Sequence, residues 1–133
     1  MLRCVVNQFG GAYILLIEDD QAIARMYQLS LREHGYQVRI ARDGEAGLAA
    51  IRSLRPPLVL LDIRLPKLDG IQVLERLQSD PALRRTKVVM LSNQGMDETV
   101  RTSLRLGAVD YLTKATVTPR EVAQVIARHL LNR

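Results

Sequence analysis

The 133-residue sequence has one cysteine, no tryptophan, one phenylalanine and four tyrosines. Because Cys4 has no second cysteine to pair with, an internal disulfide is excluded and nothing indicates an oxidising compartment. The scarcity of aromatic side chains means that the core must be aliphatic. No apolar run approaches the roughly 18 residues that a membrane-spanning helix needs. We therefore expect a cytoplasmic protein that does not contact a membrane.

The chain is long enough for one ordinary domain and too short for two. Its first residues, MLRCVVNQFGG, lack the long apolar centre of a signal peptide. We interpret residues 1–11 as a loose N-terminal extension and residues 12–133 as the domain. The net charge of +5 comes from dispersed arginines without a basic arm, so nucleic-acid binding is not indicated.

Apolar and amphipathic segments alternate along the chain. Apolar runs predict strands at 12–18, 36–41, 58–62, 87–92 and 108–112. Periodic stretches between and after them predict helices that end near 34, 54, 78, 106 and 130. In the helix predicted at 96–106, Val100 and Leu104 are expected to face the core. Strict alternation predicts an α/β fold with a parallel sheet covered by helices on both faces.

Acidic residues collect where two of these strands end. Glu18, Asp19 and Asp20 follow the first strand, and Asp62 closes the third. Ligands of open parallel sheets bind outside the carboxyl ends of the strands, so these acids share one rim if their strands are neighbours. Crowded carboxylates repel one another, and a hard divalent cation would offset that repulsion. Asp20 is also explained as an ordinary residue at a helix start.

The other strand ends carry complementary chemistry. The fourth strand ends in the hydroxyl of Ser92, and Lys114 follows the fifth. A carboxylate nucleophile at Asp62, a divalent metal, a hydroxyl and an ammonium form a set suited to phosphoryl transfer. By contrast, Asp43-Gly44 and Asp69-Gly70 are interpreted as turns that begin helices rather than as ligands.

The motifs that carry these residues identify a family resemblance. They are LLIEDD at 15–20, LLDIRLPKLDG at 60–70, VVMLS at 88–92 and GAVDYLTK at 107–114. In order and spacing the chain resembles a response-regulator receiver domain of two-component signal transduction, in the CheY-like superfamily, over residues 12–131. The resemblance implies a doubly wound (βα)5 fold of the flavodoxin-like type, with five parallel strands in the order 2-1-3-4-5.

The resemblance also implies roles for individual residues. Asp62 matches the phosphoacceptor. Mg²⁺, or Mn²⁺ in its place, would be held by four groups: Glu18, Asp19, Asp62 and the backbone carbonyl of Arg64. Ser92 and Lys114 match the residues that contact the phosphoryl group, and Tyr111 matches the aromatic residue that changes rotamer on activation.

Partners follow from the same resemblance. The phosphoryl donor would be the phosphohistidine of a sensor histidine kinase or of a histidine phosphotransfer protein. The helix–strand–helix face from about 96 to 130 would be the output surface for an unidentified downstream protein or for homodimer formation. The domain would catalyse only its own phosphorylation and slow dephosphorylation, so we classify it as a switch and not as an enzyme.

Three positions depart from the family pattern. Ala115 follows Lys114 where a proline after a cis bond is usual. Because a cis bond before alanine costs about 2.5–4 kcal/mol, a trans and slightly rearranged loop is expected. Asn93 replaces a small residue and would narrow access to the phosphoryl group. Arg64 brings a long cation to the rim, where it would shield the acyl phosphate or pair with Glu18.

Two other function classes remain open at this point. A metal-dependent phosphohydrolase with an aspartate nucleophile places a second aspartate two residues after the first, where this chain has Arg64; turnover of small phosphate esters would distinguish it. A binding module is the other class. A flavin-binding version lacks a glycine-rich phosphate loop, whereas a receiver-like protein-binding module that is never phosphorylated stays open as the alternative, because an intact site need not be used.

Overall fold

The computed structural model describes residues 13–93 and 97–131. Within these ranges five strands alternate with five helices. The strands are β1 (Tyr13–Ile17), β2 (Gln37–Ala41), β3 (Leu58–Leu61), β4 (Lys87–Ser92) and β5 (Asp110–Thr113). The helices are α1 (Gln21–Glu33), α2 (Gly44–Leu54), α3 (Gly70–Ser79), α4 (Asp97–Arg105) and α5 (Pro119–Leu131). The extension expected at 1–11 lies outside the described residues.

The strands form one parallel sheet in the order β2-β1-β3-β4-β5, as predicted. Ile17 pairs with Ala41 on one side and with Leu61 on the other. The last pair at the far side of the sheet is Ser92 with Thr113. Because all five strands run the same way, the residues that follow their carboxyl ends meet along a single edge.

Two aliphatic cores lie on the two faces of the sheet. Leu15 and Ile17 point into the core under α2 and α3, while Ile14 and Leu16 point into the core under α1 and α5. Both faces of β1 and β3 are therefore buried, which explains why these strands are uniformly apolar in sequence. Among the described residues, no helix combines the length and the apolar character needed to cross a membrane.

Side-chain caps begin the helices where the sequence placed them. Asp20, Asp43 and Asp69 each accept a hydrogen bond from a backbone N–H in the first turn of the helix that follows. Thr118 and Glu121 exchange reciprocal bonds at the start of α5. These bonds satisfy amide groups that have no partner within the helix. The interpretation of Asp43 and Asp69 as helix starts is confirmed.

One prediction about helix α4 is wrong. Leu104 is 46% exposed, and among the described residues of α4 it is Ser103 that is fully buried. Val100 is half-buried, so the inward stripe runs through positions 100 and 103 rather than 100 and 104. The buried hydroxyl is satisfied because Ser103 Oγ donates to the carbonyl of Thr99 at 2.9 Å. Helix α4 is consequently held by little apolar burial.

Replacing a central core leucine will test the two-sided burial of β3. Leu60→Ala removes a side chain with 0% exposure and should lower the free energy of unfolding by about 2–5 kcal/mol. Leu131→Ala makes the same chemical change at a position that is 82% exposed and should change it by less than about 0.5 kcal/mol. Urea unfolding followed by circular dichroism measures both. Equal effects would contradict the described core.

Candidate functional site

Three carboxylates converge at the carboxyl edge of the sheet. Glu18 and Asp19 follow β1, and Asp62 follows the neighbouring strand β3. One carboxylate oxygen from each lies within 4.8 Å of the others. Glu18 and Asp62 are buried, whereas Asp19 is exposed to solvent. The two acidic strand ends of the sequence therefore form one cluster.

Lys114 brings a positive charge into this cluster from the far side of the sheet. Its backbone N–H donates to the carbonyl of Ser92 at 2.9 Å, which fixes the start of the loop after β5. Its ammonium donates to the carboxylate of Glu18 and, at 3.1 Å, to Oδ2 of Asp62. Only 9% of the lysine side chain is exposed. In this structure the lysine is a counter-charge to both buried acids.

Burial and charge shift the proton affinities of this group. Burial raises the pKa of Glu18, and the opposing effects of the Lys114 ammonium and the Asp20 N–H only partly offset it. Burial alone would lower the pKa of Lys114, but the carboxylates of Glu18 and Asp62 outweigh it and raise that pKa. The ammonium therefore persists at neutral pH, while the acids remain crowded enough to favour a further cation.

The adjacent acids Asp19 and Asp20 have different surroundings. Asp20 caps helix α1, where its Oδ1 accepts from the N–H of Ile23 at 3.0 Å. Asp19 instead belongs to the carboxylate cluster and lines an open depression of about 550 Å³. Arg64 also lines this depression. The depression gives a ligand access to the exposed side of the cluster.

Arg64 lies directly beside Asp62. Its backbone N–H approaches Asp62 Oδ1 at 3.4 Å, and its side chain is exposed. Arg64 lines the mouth of the site, and Glu18 forms an ion pair with Lys114.

Ser92 and Tyr111 are coupled to each other at the end of β4 and in β5. Ser92 is 1% exposed, and its side chain is hydrogen-bonded to that of half-buried Tyr111. The pKa of Tyr111 is raised overall. Burial is the largest cause, the bond to Ser92 opposes it, and the charge of Asp62 adds to it. The tyrosine is therefore within the electrostatic reach of Asp62. Asn93, the next residue after Ser92, is exposed.

The loop after Lys114 has the expected trans bond before Ala115. Its turn is closed by hydrogen bonds from the N–H groups of Thr116 and Val117 to the carbonyl of Thr113, at 3.0 and 3.2 Å. Lys114 still reaches the cluster from this loop.

Two contacts were not anticipated from the sequence. The ion pair between Lys114 and Glu18 joins residues 96 positions apart, and no local pattern signals it. His129, in the last turn of α5, lies with Nε2 2.9 Å from Asp110 Oδ2, and Arg128 donates to the same oxygen at 3.4 Å. An acid at the start of β5 and an Arg-His pair in the last turn of α5 were the available signals.

Comparisons with known proteins agree with this architecture. The response regulator receiver domain model matches residues 14–127. The chain is 40% identical over 116 residues to a Bacillus subtilis protein described as the uncharacterized transcriptional regulatory protein YkoG. That match covers 87% of this chain and 48% of the relative. The chain spans about half the length of the curated relatives it matches.

Two solved structures are similar to this chain over almost their whole length. The BeF3-activated N-terminal receiver domain of Klebsiella pneumoniae RstA has a TM-score of 0.82 and 29% identity, covering 90% of this chain and 99% of that one. The Mn(2+)-bound form of response regulator Rcp1 has a TM-score of 0.80 and 33% identity, covering 92% and 96%. The doubly wound, flavodoxin-like fold is confirmed, and the chain belongs to the response regulator receiver domain family of two-component signal transduction.

Proposed function

We propose that Asp62 is the phosphoacceptor of a phosphorylation-activated switch. The observation that carries the proposal is the placement of its buried carboxylate between two kinds of partner. Lys114 Nζ lies 3.1 Å from Oδ2 of Asp62. One carboxylate oxygen each from Glu18 and Asp19 lies within 4.8 Å of an oxygen of Asp62. A nucleophile placed between a fixed cation and a set of hard donors is suited to attack on an anionic phosphoryl group.

The carboxylate cluster fits a hard divalent cation. All its donors are oxygens, and one of them, on Asp19, faces solvent, so an ion can enter without displacing the core. Asp19 and Asp62 would bind Mg²⁺ or Mn²⁺ directly, with the backbone carbonyl of Arg64 as a third ligand. Glu18 would act through water, because Lys114 already occupies one of its oxygens. The bound ion would offset the repulsion between Asp62 and an incoming phosphate.

The reaction needs few participants from the protein. An oxygen of Asp62 forms a bond to phosphorus as the bond from phosphorus to the donor's histidine nitrogen breaks. Lys114 neutralises charge that develops on the phosphoryl oxygens, and the hydroxyl of Ser92 donates to one of them. Attack of water on the acyl phosphate later restores the carboxylate. No small substrate is turned over.

The hydrogen bond between Ser92 and Tyr111 provides a route to the surface. When Ser92 turns toward the phosphoryl group, it gives up its bond to Tyr111, and the ring moves into the space beside it. Helix α4 fully buries one side chain, that of Ser103, and little apolar surface holds it against the sheet, so a small change would shift it. Phosphorylation would bias an existing equilibrium of α4, β5 and α5 rather than create a new structure.

Exposed side chains define where partners would bind. Leu104 and Val109 are 46% and 38% exposed on the α4–β5 side, which suits a downstream protein or a second copy of the domain. Met26 and Leu29 are 42% and 44% exposed on α1, the helix that follows the acidic cluster. Exposed apolar side chains on this helix suit the helical histidine-bearing domain of a sensor kinase or of a phosphotransfer protein.

Replacing the nucleophile gives the most direct test of this function. With Mg²⁺ and beryllofluoride or acetyl phosphate, the wild-type chain should be modified, and Asp62→Asn should abolish the modification. Asp69→Asn is the matched control, because asparagine caps a helix as well as aspartate does. Intact-mass spectrometry and ¹⁹F NMR of the beryllofluoride complex measure both variants. Equal modification of Asp62→Asn and wild type would refute the proposed phosphoacceptor.

The adjacent acids should differ in metal binding. Asp19→Asn should weaken Mg²⁺ binding by at least about tenfold, since even outer-shell changes commonly cost that much. Asp20→Asn removes the same charge from a capping residue and should leave the affinity close to that of wild type. Isothermal titration calorimetry gives both dissociation constants. A larger loss in Asp20→Asn than in Asp19→Asn would contradict the ligand assignment.

Removing the tyrosine hydroxyl should separate phosphorylation from its effect. Tyr111→Phe cannot bond to Ser92, so beryllofluoride should still bind while the change in amide hydrogen exchange across α4 and β5 becomes smaller. Tyr36→Phe removes a hydroxyl at the opposite end of the sheet and serves as control. A full response in Tyr111→Phe would show that the hydroxyl does not transmit the signal.

A further inference from the structure

The loop from Asp62 to α3 is tightly held at its end by Gly70. The N–H of Gly70 donates to the carbonyl of Ile63 at 2.8 Å. A β-carbon at residue 70 would lie 2.4 Å from the carbonyl oxygen of Asp62, so the backbone of the helix start packs directly on that of the phosphoacceptor. This contact fixes the two ends of the loop, at Ile63 and Gly70, but not residues 66–68 in its middle.

The middle of the loop is held by a different segment, the turn between β2 and α2. The N–H of Gly44 donates to the carbonyl of Pro66 at 3.3 Å. A β-carbon on Gly44 would lie 1.9 Å from the carbonyl oxygen of Leu68 and 2.6 Å from its Cβ. Because the nearest obstruction is backbone, any side chain at residue 44 must push the loop away. Glycine there permits the close approach.

An ion pair joins the same two segments. Lys67 has a φ of 70°, a left-handed conformation that costs energy for a residue with a side chain. Its ammonium lies 3.6 Å from Oδ2 of Asp43, the residue that caps α2. The lysine side chain is 59% exposed, so the ion pair holds the loop in place less strongly than the backbone contact at Gly44 does. Both contacts act on residues 66–68.

We propose that Gly44, assisted by the Asp43–Lys67 pair, is a positioning residue for metal binding and phosphoryl transfer at Asp62. The inference rests on the proposed function and adds a segment that contains none of the assigned ligands. The turn at 43–44 holds residues 66–68 and, through them, sets the backbone of Arg64 beside Asp62. Affinity for Mg²⁺ therefore depends on a loop that never contacts the ion.

The geometry of the site explains why a small shift would matter. The N–H of Arg64 is already 3.4 Å from Asp62 Oδ1, at the long limit of a hydrogen bond. The carbonyl of the same residue is the expected third ligand of an ion that demands near-ideal octahedral geometry. Displacing the loop would remove this carbonyl from reach while the carboxylates stay on their strands.

The first test adds one methyl group to the turn. Gly44→Ala should weaken Mg²⁺ binding about tenfold, the effect typical of changes behind metal ligands. The matched control is Gly35→Ala, at the opposite end of the sheet. It also destabilises the chain, because φ at residue 35 is +92°, but its methyl group meets nothing within 4 Å. It should keep the wild-type dissociation constant in calorimetry.

A second variant decides the question if Gly44→Ala does not fold. Lys67→Gly breaks the ion pair and loosens the loop, and the strain that glycine relieves in the left-handed conformation offsets the entropy it adds to the unfolded chain, so urea unfolding should show little loss of stability. Mg²⁺ binding should nevertheless weaken, although removing a cation near an acidic site would by itself strengthen it. Arg55→Gly makes the same kind of change at φ 49°, at the end of α2 and outside the site. It should not alter Mg²⁺ affinity.

The outcomes separate this inference from the proposed function. The positioning role is supported if Gly44→Ala binds Mg²⁺ more weakly while both controls bind it as wild type does. Weaker binding in Lys67→Gly with stability retained supports it in the same way. The positioning role is overturned if Gly44→Ala folds and binds Mg²⁺ with wild-type affinity. If Gly44→Ala does not fold, wild-type Mg²⁺ affinity in Lys67→Gly overturns it. If wild type itself shows no Asp62-dependent binding of Mg²⁺ and beryllofluoride, the proposed function fails first, and the inference fails with it.

Discussion

The ion pair of Lys114 with Glu18 and Asp62 joins the carboxyl ends of β1, β3 and β5. Each of these side chains is almost fully buried, and removing one partner from such a group typically costs about 3–5 kcal/mol. The three meet because β1, β3 and β5 are parallel strands of one sheet whose carboxyl ends lie along the same edge. With Asp19 included, three carboxylates and one ammonium leave a formal charge of −2, which a divalent cation neutralises.

Stability is distributed unevenly around this group. The acids stand on central strands whose side chains are buried on both faces, so their positions are well determined. Helix α4, in contrast, buries Ser103 and exposes Leu104. Elements that move in a switch come from the weakly held part of a structure. In the proposed switch, Ser92 and Tyr111 would link the firmly held site to this weakly held helix.

Much of this arrangement could be predicted because it depends on short sequence patterns. Apolar runs, the acids that end them, and capping residues such as Asp69 are signals within a few positions, and they gave the strands, the rim and the helix starts. The phase of α4 could not be predicted, since its nine residues include only two apolar ones, Val100 and Leu104, and the choice between Ser103 and Leu104 depends on tertiary packing. The contact of Gly44 with Leu68 joins two separate loops and could not be predicted either. An Asp-Gly pair has the same sequence whether or not another backbone packs against it.

The buried lysine also bears on how little the site must rearrange. Lys114 is already oriented toward Asp62 Oδ2 before any phosphoryl group arrives, with its backbone fixed by Ser92. A phosphoryl group on Asp62 would place its oxygens where the ammonium now meets the carboxylate, so the lysine could transfer one contact and keep the other, to Glu18. Preoriented charge of this kind stabilises developing negative charge without the cost of reorganising solvent. In the proposed mechanism Ser92 is then the residue that moves, and the movement of one hydroxyl would couple the chemistry to Tyr111 without disturbing the core.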